Sequence, residues 1–404
     1  MSTLSEIILK GGAGSFVDCK VDRAFAHDGT GIQALVALRG LGDVKPACPE
    51  KVSVIYDHIA PANNTTTANL QHELREFSKQ AGFCFHDIGD GICHQIMSEG
   101  VCLPGEVVVG ADSHSCTLGA FGAFATGVGA SDMAAIWASG ETWFKVPETI
   151  EINLDGDFRQ FCEPKDLALT YVKKLGMDGA TYKALEFTGE GAVNVPMDGR
   201  LTLCNMAIET GAKTGLFYPD AVTKEYLAGF GHSIKTAKPE ECSYEKTVDI
   251  DIGDLEPVLA VPHRVDTVEP VTRYSGTPLD QVFLGTCTNG RYEDLKRFAD
   301  IVRGRKVSVR TIVVPASRAV LMQALKTGVL SDIIDAGCSI GTPGCGPCLG
   351  AHMGVLGEGE VGLSTANRNF KNRMGVGAEY YLCSPSTAAA SAVRGEITSP
   401  EEFA

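Results

Sequence analysis

The 404 residues, 44% hydrophobic and 21% charged, suffice for two or three domains with buried cores. A net charge of −15 argues against a surface for nucleic acid or anionic membrane, so an anionic ligand would need a local basic pocket. Fourteen cysteines, in a chain whose opening MSTLSEIILKGGAG has no basic n-region or apolar run, point to reduced, mostly buried thiols and a cytoplasmic protein rather than a disulfide framework.

In chain order, short apolar runs alternate with helical patterns and Gly-rich turns, which predicts an α/β fold. KVSVIYDHIAP reads as a strand ending in polar residues. GEVVVGADSHS reads as a second, followed by a Gly-rich segment to Ala130 and a helical run through Trp137. The weakly charged stretch 107–140 carries Asp112, His114, Asp132 and many glycines, and is not read as a membrane span. KVPETIEINLDGDF opens a new strand-rich unit, and the proline-rich segment 255–271 marks a second boundary. The expected domains are therefore 1–147, 148–265 and 266–404. In the last, DQVFLGTCTNG and VSVRTIVVPAS read as strands, with a helix near Tyr292 to Val302 after the first. In open α/β sheets ligands gather beyond the carboxyl ends of strands. Asp57-His58, Asp112-Ser113-His114 and Cys287 all fall at such ends.

The segment GTPGCGPCLGAHMG holds Cys345 and Cys348 in a CGPC run. A redox dithiol should open a helix early in a small domain, whereas this pair lies among glycines near the carboxyl end. A zinc site could use Cys345, Cys348, His352 and Cys287, and two buried cysteines in a tight turn would need no ligand at all. Cys287, directly after a strand and among small polar residues, adds a third reading. One cysteine followed about sixty residues later by CxxC suits three-point ligation of an iron–sulfur cluster, leaving one iron open as a Lewis acid.

Acid and base candidates come from Asp–His neighbours. His58 follows Asp57, His114 lies two residues after Asp112, and His94 follows the turn in DIGDGICHQI. His27 and His86 also adjoin aspartates, Asp28 and Asp87, so the pairing alone does not decide. His72, His232 and His263 have no such setting and read as structural. STANRNFKNRMG supplies Asn367, Arg368 and Arg373, and an arginine fork matches a carboxylate. LCNMAIETGAKTG places Asn205 and Glu209 four apart, on one face of a predicted helix.

Taken together, VVVGADSHSCTLGAFGAFATGVGASDMAA, FLGTCTNGR, GCGPC and TANRNF resemble the aconitase superfamily from about Asp18 onward. The likeness is greatest to its 3-isopropylmalate dehydratase large-subunit branch, in the shorter archaeal-type, homoaconitase-like form. The resemblance implies a three-domain α/β large subunit with one [4Fe–4S] cluster between domains, held by Cys287, Cys345 and Cys348. It implies that Asp57 and His58 serve a leaving hydroxyl, with His94 a second active-site histidine. Asp112, Ser113 and His114 would hold the site and its water, and Asn205 and Glu209 would sit beside the cluster. Asn367 would contact the cluster, and Arg368 and Arg373 would bind substrate carboxylate. A hydroxy-diacid would then be isomerised by dehydration and rehydration. The expected substrates are 2- and 3-isopropylmalate of leucine biosynthesis, with homoaconitate and 2,3-dimethylmalate as alternatives.

The family's serine base and a further arginine belong to a swivelling domain for which no segment of this sequence is left, so a separate small subunit is expected as partner. YDHIAP departs from the DHxVP-like run of many relatives. An RNA-binding iron–sulfur sensor is the competing class; the −15 charge and the lack of an extended basic stripe count against it. A thioredoxin-like oxidoreductase would instead need a reversible Cys345–Cys348 disulfide.

Overall fold

Val52–Ile55 and Val107–Gly110, read above as strands, are strands in the computed structural model, which describes residues 2–238 and 242–404. Every residue of both is buried, as expected where helices cover both faces of a parallel sheet. Their sheet runs in the order Cys84–His86, Val52–Ile55, Arg23–His27, Val107–Gly110, Phe124–Gly127, all parallel. The helices Asp28–Gly40, Thr65–Ala81 and Ala130–Ser139 contribute Leu35, Leu38, Leu74, Met133 and Trp137 to its core. Thr65–Ala81 starts at Asn64, whose side chain accepts from the Thr67 N–H, and stops at Gly82 in a left-handed conformation.

The chain forms two compact units. The first, Met1–Ile88 with Cys93–Asp155 and Asp178–Ile250, holds this sheet and a smaller one of order Thr214–Phe217, Ala184–Thr188, Thr149–Asp155, Lys246–Asp251. The Gly-rich segment after the second predicted strand is a run of 3-10 turns, Ser113–Phe121. It packs so closely on Thr214–Phe217 that a Cβ on Gly119 would lie 1.7 Å from the Gly215 carbonyl oxygen. On the other side of that strand, a Cβ on Gly215 would meet the Cys204 Cα at 3.0 Å. Two glycines thus let turn, strand and helix Met197–Met206 stack with main chain against main chain.

The second unit, Gly89–Ile92 with Gly156–Met177 and Asp251–Ala404, is built on seven strands. Their order is Val268–Pro270, Val258–Ala260, Glu379–Cys383, Val361–Ser364, Gln281–Leu284, Arg310–Val313, Ser339–Ile340. Pairing is parallel from Glu379–Cys383 onward and antiparallel before it. Tyr292–Val302 is helical as predicted and buries Leu295, Phe298 and Val302 against this sheet. Among the described residues, no helix is long and apolar enough to cross a membrane.

Candidate active site

Asp57-His58 and Asp112-Ser113-His114 follow the carboxyl ends of Val52–Ile55 and Val107–Gly110, which flank Arg23–His27 in the sheet. Sheet order therefore brings the two loops together beside His27 and Asp28, the strand-to-helix junction between them. Asp112 is the hub. Its Oδ1 accepts from His94 Nε2 at 2.9 Å and from the His114 backbone N–H at 2.7 Å. Its Oδ2 lies 3.4 Å from His58 Nε2 and 3.9 Å from His27 Nε2. Burial opposes ionisation of this carboxyl, but the charge of His94 and hydrogen bonds from His114, His58 and His94 hold it well below the usual carboxylate range.

His58 stands between two carboxylates. Nδ1 pairs with Asp57 Oδ1 at 2.7 Å, and Nε2 faces Asp112. Asp57 is fully buried and its Oδ2 accepts from the Cys93 N–H at 2.7 Å, which fixes the carboxylate against rotation. Asp28 braces the same loop: it accepts from the backbone N–H groups of His58 and Ile59 and from Gln71 Nε2. Ligand atoms of His27, Asp28, Asp57 and His58 all lie within 4.8 Å of one another. The hydrogen bonds just described already engage the Asp28 and Asp57 carboxylates and His58 Nδ1.

His114 Nε2 meets Glu209 Oε1 at 2.9 Å, and Asn205 Nδ2 donates to Thr117 Oγ1 at 2.8 Å. Asn205 and Glu209 do not share one helix as expected. The α-helix ends at Met206 and tightens into the 3-10 turn Ala207–Thr210, which Gly211 terminates in a left-handed conformation. Both side chains are buried on the Ser113–Phe121 turn rather than displayed on a helix surface. Ser113 is partly exposed and, with Asp112, lines a cavity of about 570 Å³ together with Thr126, Asp132, Trp143 and Lys213.

In the second unit, Cys287 follows Gln281–Leu284, while Cys345 and Cys348 bracket the start of the 3-10 turn Gly346–Leu349. All three thiols are buried, and no disulfide is formed among the described residues. Asn367 Nδ2 donates to Cys287 Sγ at 3.4 Å and Arg373 Nη2 to Cys348 Sγ at 3.8 Å. The Arg373 Nε is buried without a hydrogen-bond partner, its guanidinium lies over the Phe370 ring, and Arg368 is partly exposed nearby in sequence. Burial disfavours the Arg373 charge, yet Cys348 and its sulfur hydrogen bond raise the basicity of the guanidinium. The loop before Cys287 is strained: buried Thr286, a β-branched residue, has φ 77°. Arg291 holds it by donating to the Cys287 and Thr288 carbonyls. Buried sulfurs that accept N–H bonds, on a rigid loop and a glycine-rich turn, fit an iron–sulfur cluster.

Sequence reasoning missed three supporting residues. Lys165 is fully buried, and its ammonium donates to the carbonyls of Thr365 and Ala366 at 2.7 and 2.6 Å and to Asn289 Oδ1 at 3.3 Å. It ties the segment entering Asn367 to the loop after Cys287, and burial pushes its pKa down to about 8. Arg291 is visible in FLGTCTNGR but unremarkable there. His27 carries the Asp–His pairing that the sequence could not rank.

Residues 6–395 match the family described as the Aconitase family (aconitate hydratase). The chain is 52% identical over 389 residues to a probable methanogen homoaconitase large subunit of Methanosarcina mazei, covering 95% of this chain and 99% of that one. It is 46% identical over 397 residues to a 3-isopropylmalate dehydratase large subunit of Elusimicrobium minutum, covering 97% and 95%. Aconitase X of Thermococcus kodakaraensis, in its holo-form crystal structure, has a similar fold, with a TM-score of 0.54 and 14% identity over 91% of this chain and 93% of that one.

Proposed function

Because the chain belongs to the aconitase family, we propose that it is the large subunit of a hydro-lyase that isomerises a hydroxy-diacid by removing and re-adding water. The observation that carries this reading is His58 held between Asp57 and Asp112, in a chain that also carries three buried thiols. The same reading divides the chain into three α/β domains, 1–147, 148–265 and 266–404.

Cys287, Cys345 and Cys348 would hold one [4Fe–4S] cluster, with Asn367 and Arg373 donating to its ligand sulfurs. When bound, the cluster supplies a Lewis acid for the substrate's hydroxyl and one carboxylate. Hydroxide is a poor leaving group, so His58 delivers a proton as the carbon–oxygen bond breaks and water departs. Asp57 keeps the His58 ring oriented through Nδ1, and Asp112 stabilises its charged form through Nε2. His94 and His114 hold Asp112, and Glu209 holds His114. Arg368 and Arg373 bind carboxylate, Ser113 helps hold the site and its water, and Asn205 fixes the turn that carries His114. The α proton goes to a base on a small subunit, a partner supported by relatives named as large subunits.

The 2-/3-isopropylmalate pair is the first reading of the substrate. The homocitrate/homoaconitate pair is the second, favoured by the 52% identity to a relative named homoaconitase. The test is anaerobic cluster reconstitution, addition of the small subunit, and assay across both pairs and 2,3-dimethylmalate. We expect about four irons per chain, lost on replacing Cys287, Cys345 or Cys348 with serine but kept on replacing Cys242. Turnover should appear only with the small subunit present. Robust turnover by the isolated chain would place the base within it and refute the two-chain reading.

A further inference from the structure

His27 has no role in the reading above, yet its ring stacks on that of His58, with centroids 3.6 Å apart and planes 14° apart. It is also the N-cap of helix Asp28–Gly40: Nδ1 accepts from the Gly29 N–H at 3.1 Å. Asp28 Oδ1 also lies 3.8 Å from Nδ1, but while Nδ1 accepts from Gly29 it carries no proton, and the proton of this imidazole sits on Nε2, the edge toward Asp112 Oδ2. A second proton on His27 would break the cap and set two cations face to face. The stack therefore consists of a neutral ring over one that can charge.

Asp57 meets His58 at Nδ1, Asp112 lies at its Nε2, and Asp28 accepts from its backbone N–H and interacts with its charge. His94 and His114 stand beyond Asp112. Asp57 and Asp112 lie at the two nitrogen edges of the His58 ring, and one face of the ring is covered by His27. A neutral π face over an imidazolium attracts its charge. We propose that His27 is a positioning residue, a capped and therefore neutral imidazole that stabilises the protonated form of His58 and keeps its Nε2 directed at the site. This rests on the reading of His58 as the acid.

Two substitutions separate stacking from capping. His27→Asn keeps a side-chain acceptor for the Gly29 N–H and removes the ring. His27→Phe keeps a ring and removes the acceptor. If the stack matters, H27N lowers kcat roughly tenfold and moves the alkaline limb of the kcat–pH profile down by about half a pH unit, while H27F keeps the limb near its normal place. If only the cap matters, H27N behaves as the parent, and that result overturns the proposal, even if H27F fails to fold. Histidine NMR titration of the isolated chain, with His58 assigned from an H58Q control, gives a readout apart from activity. A His58 midpoint lowered in H27N supports the stack even if no hydroxy-acid is turned over, in which case the dehydratase reading fails instead. An unmoved midpoint in an active enzyme sinks the role of His27.

Discussion

On the proposed reading, position converts His58, an ordinary side chain, into an acid. Its two nitrogens meet carboxylates on different loops, and one of these, Asp57, is itself fixed by a backbone N–H. Replacing His58 with alanine should leave cluster content unchanged and lower kcat by roughly a hundredfold or more, the usual loss for a positioned acid. Iron analysis and steady-state rates check this together; near-normal turnover would move the acid elsewhere. At this scale the sequence was informative where chemistry and spacing coincide. Asp57, His58, Asp112 and His114 stand at strand ends, and sheet order then gathers them. Asn205 and Glu209 carried only a four-residue spacing, to which the family resemblance gave a role. His27 and Lys165 were hidden for a different reason. Which ring lies over His58, and which lysine is buried, depend on contacts between residues 31 and 124 to 201 positions apart.

At the scale of the element, the predicted strands at KVSVI, GEVVVG, DQVFLG and TIVV and the helix Tyr292–Val302 all formed, because buried parallel strands and amphipathic helices write their periods directly into the chain. The Gly-rich segment after GEVVVG was harder to read. Its 3-10 turns follow no hydrophobic period, and their path is set by packing on another sheet. Gly119 is the point where that packing is tightest. Gly119→Ala would drive a methyl group into the Gly215 carbonyl, a main-chain atom that cannot rotate aside. We expect a loss of about 3 kcal/mol, at the upper end for overpacking, and a corresponding fall in thermal midpoint. If the variant folds, displacement of His114 should weaken activity beyond the stability loss. A melt and a specific activity equal to the parent's would show that the contact is slack.

For the molecule as a whole, the acidic balance conceals buried groups whose ionisation links stability to pH. Burial pushes Glu186 in the first unit up to about 7, although it accepts from the Leu4 N–H and from the hydroxyls of Tyr244 and Tyr218. Folding therefore holds a proton that the unfolded chain releases near pH 4.3. The resulting stabilisation is complete below that value and is lost as pH rises through about 7. Glu186→Gln keeps the shape and a donor–acceptor pair but removes the titration. Relative to the parent it should gain stability between pH 5 and pH 8, by up to about 3 kcal/mol, as read from melts at both values. A parent and variant with parallel pH profiles would show that Glu186 is already charged when buried.

The main-chain stacking at Gly119 and Gly215 also has a kinetic consequence. At Gly119 and Gly215 main chain meets main chain, so the turn 113–121 has little soft material there against which to breathe. Amide protons of 113–121 should then exchange with solvent only when those of 214–217 do, in one cooperative opening rather than by local fraying. The loop bearing His114 would belong to the slowest-exchanging part of the first unit, unlike most active-site loops, and slack for substrate entry and product release would have to come from elsewhere in the protein.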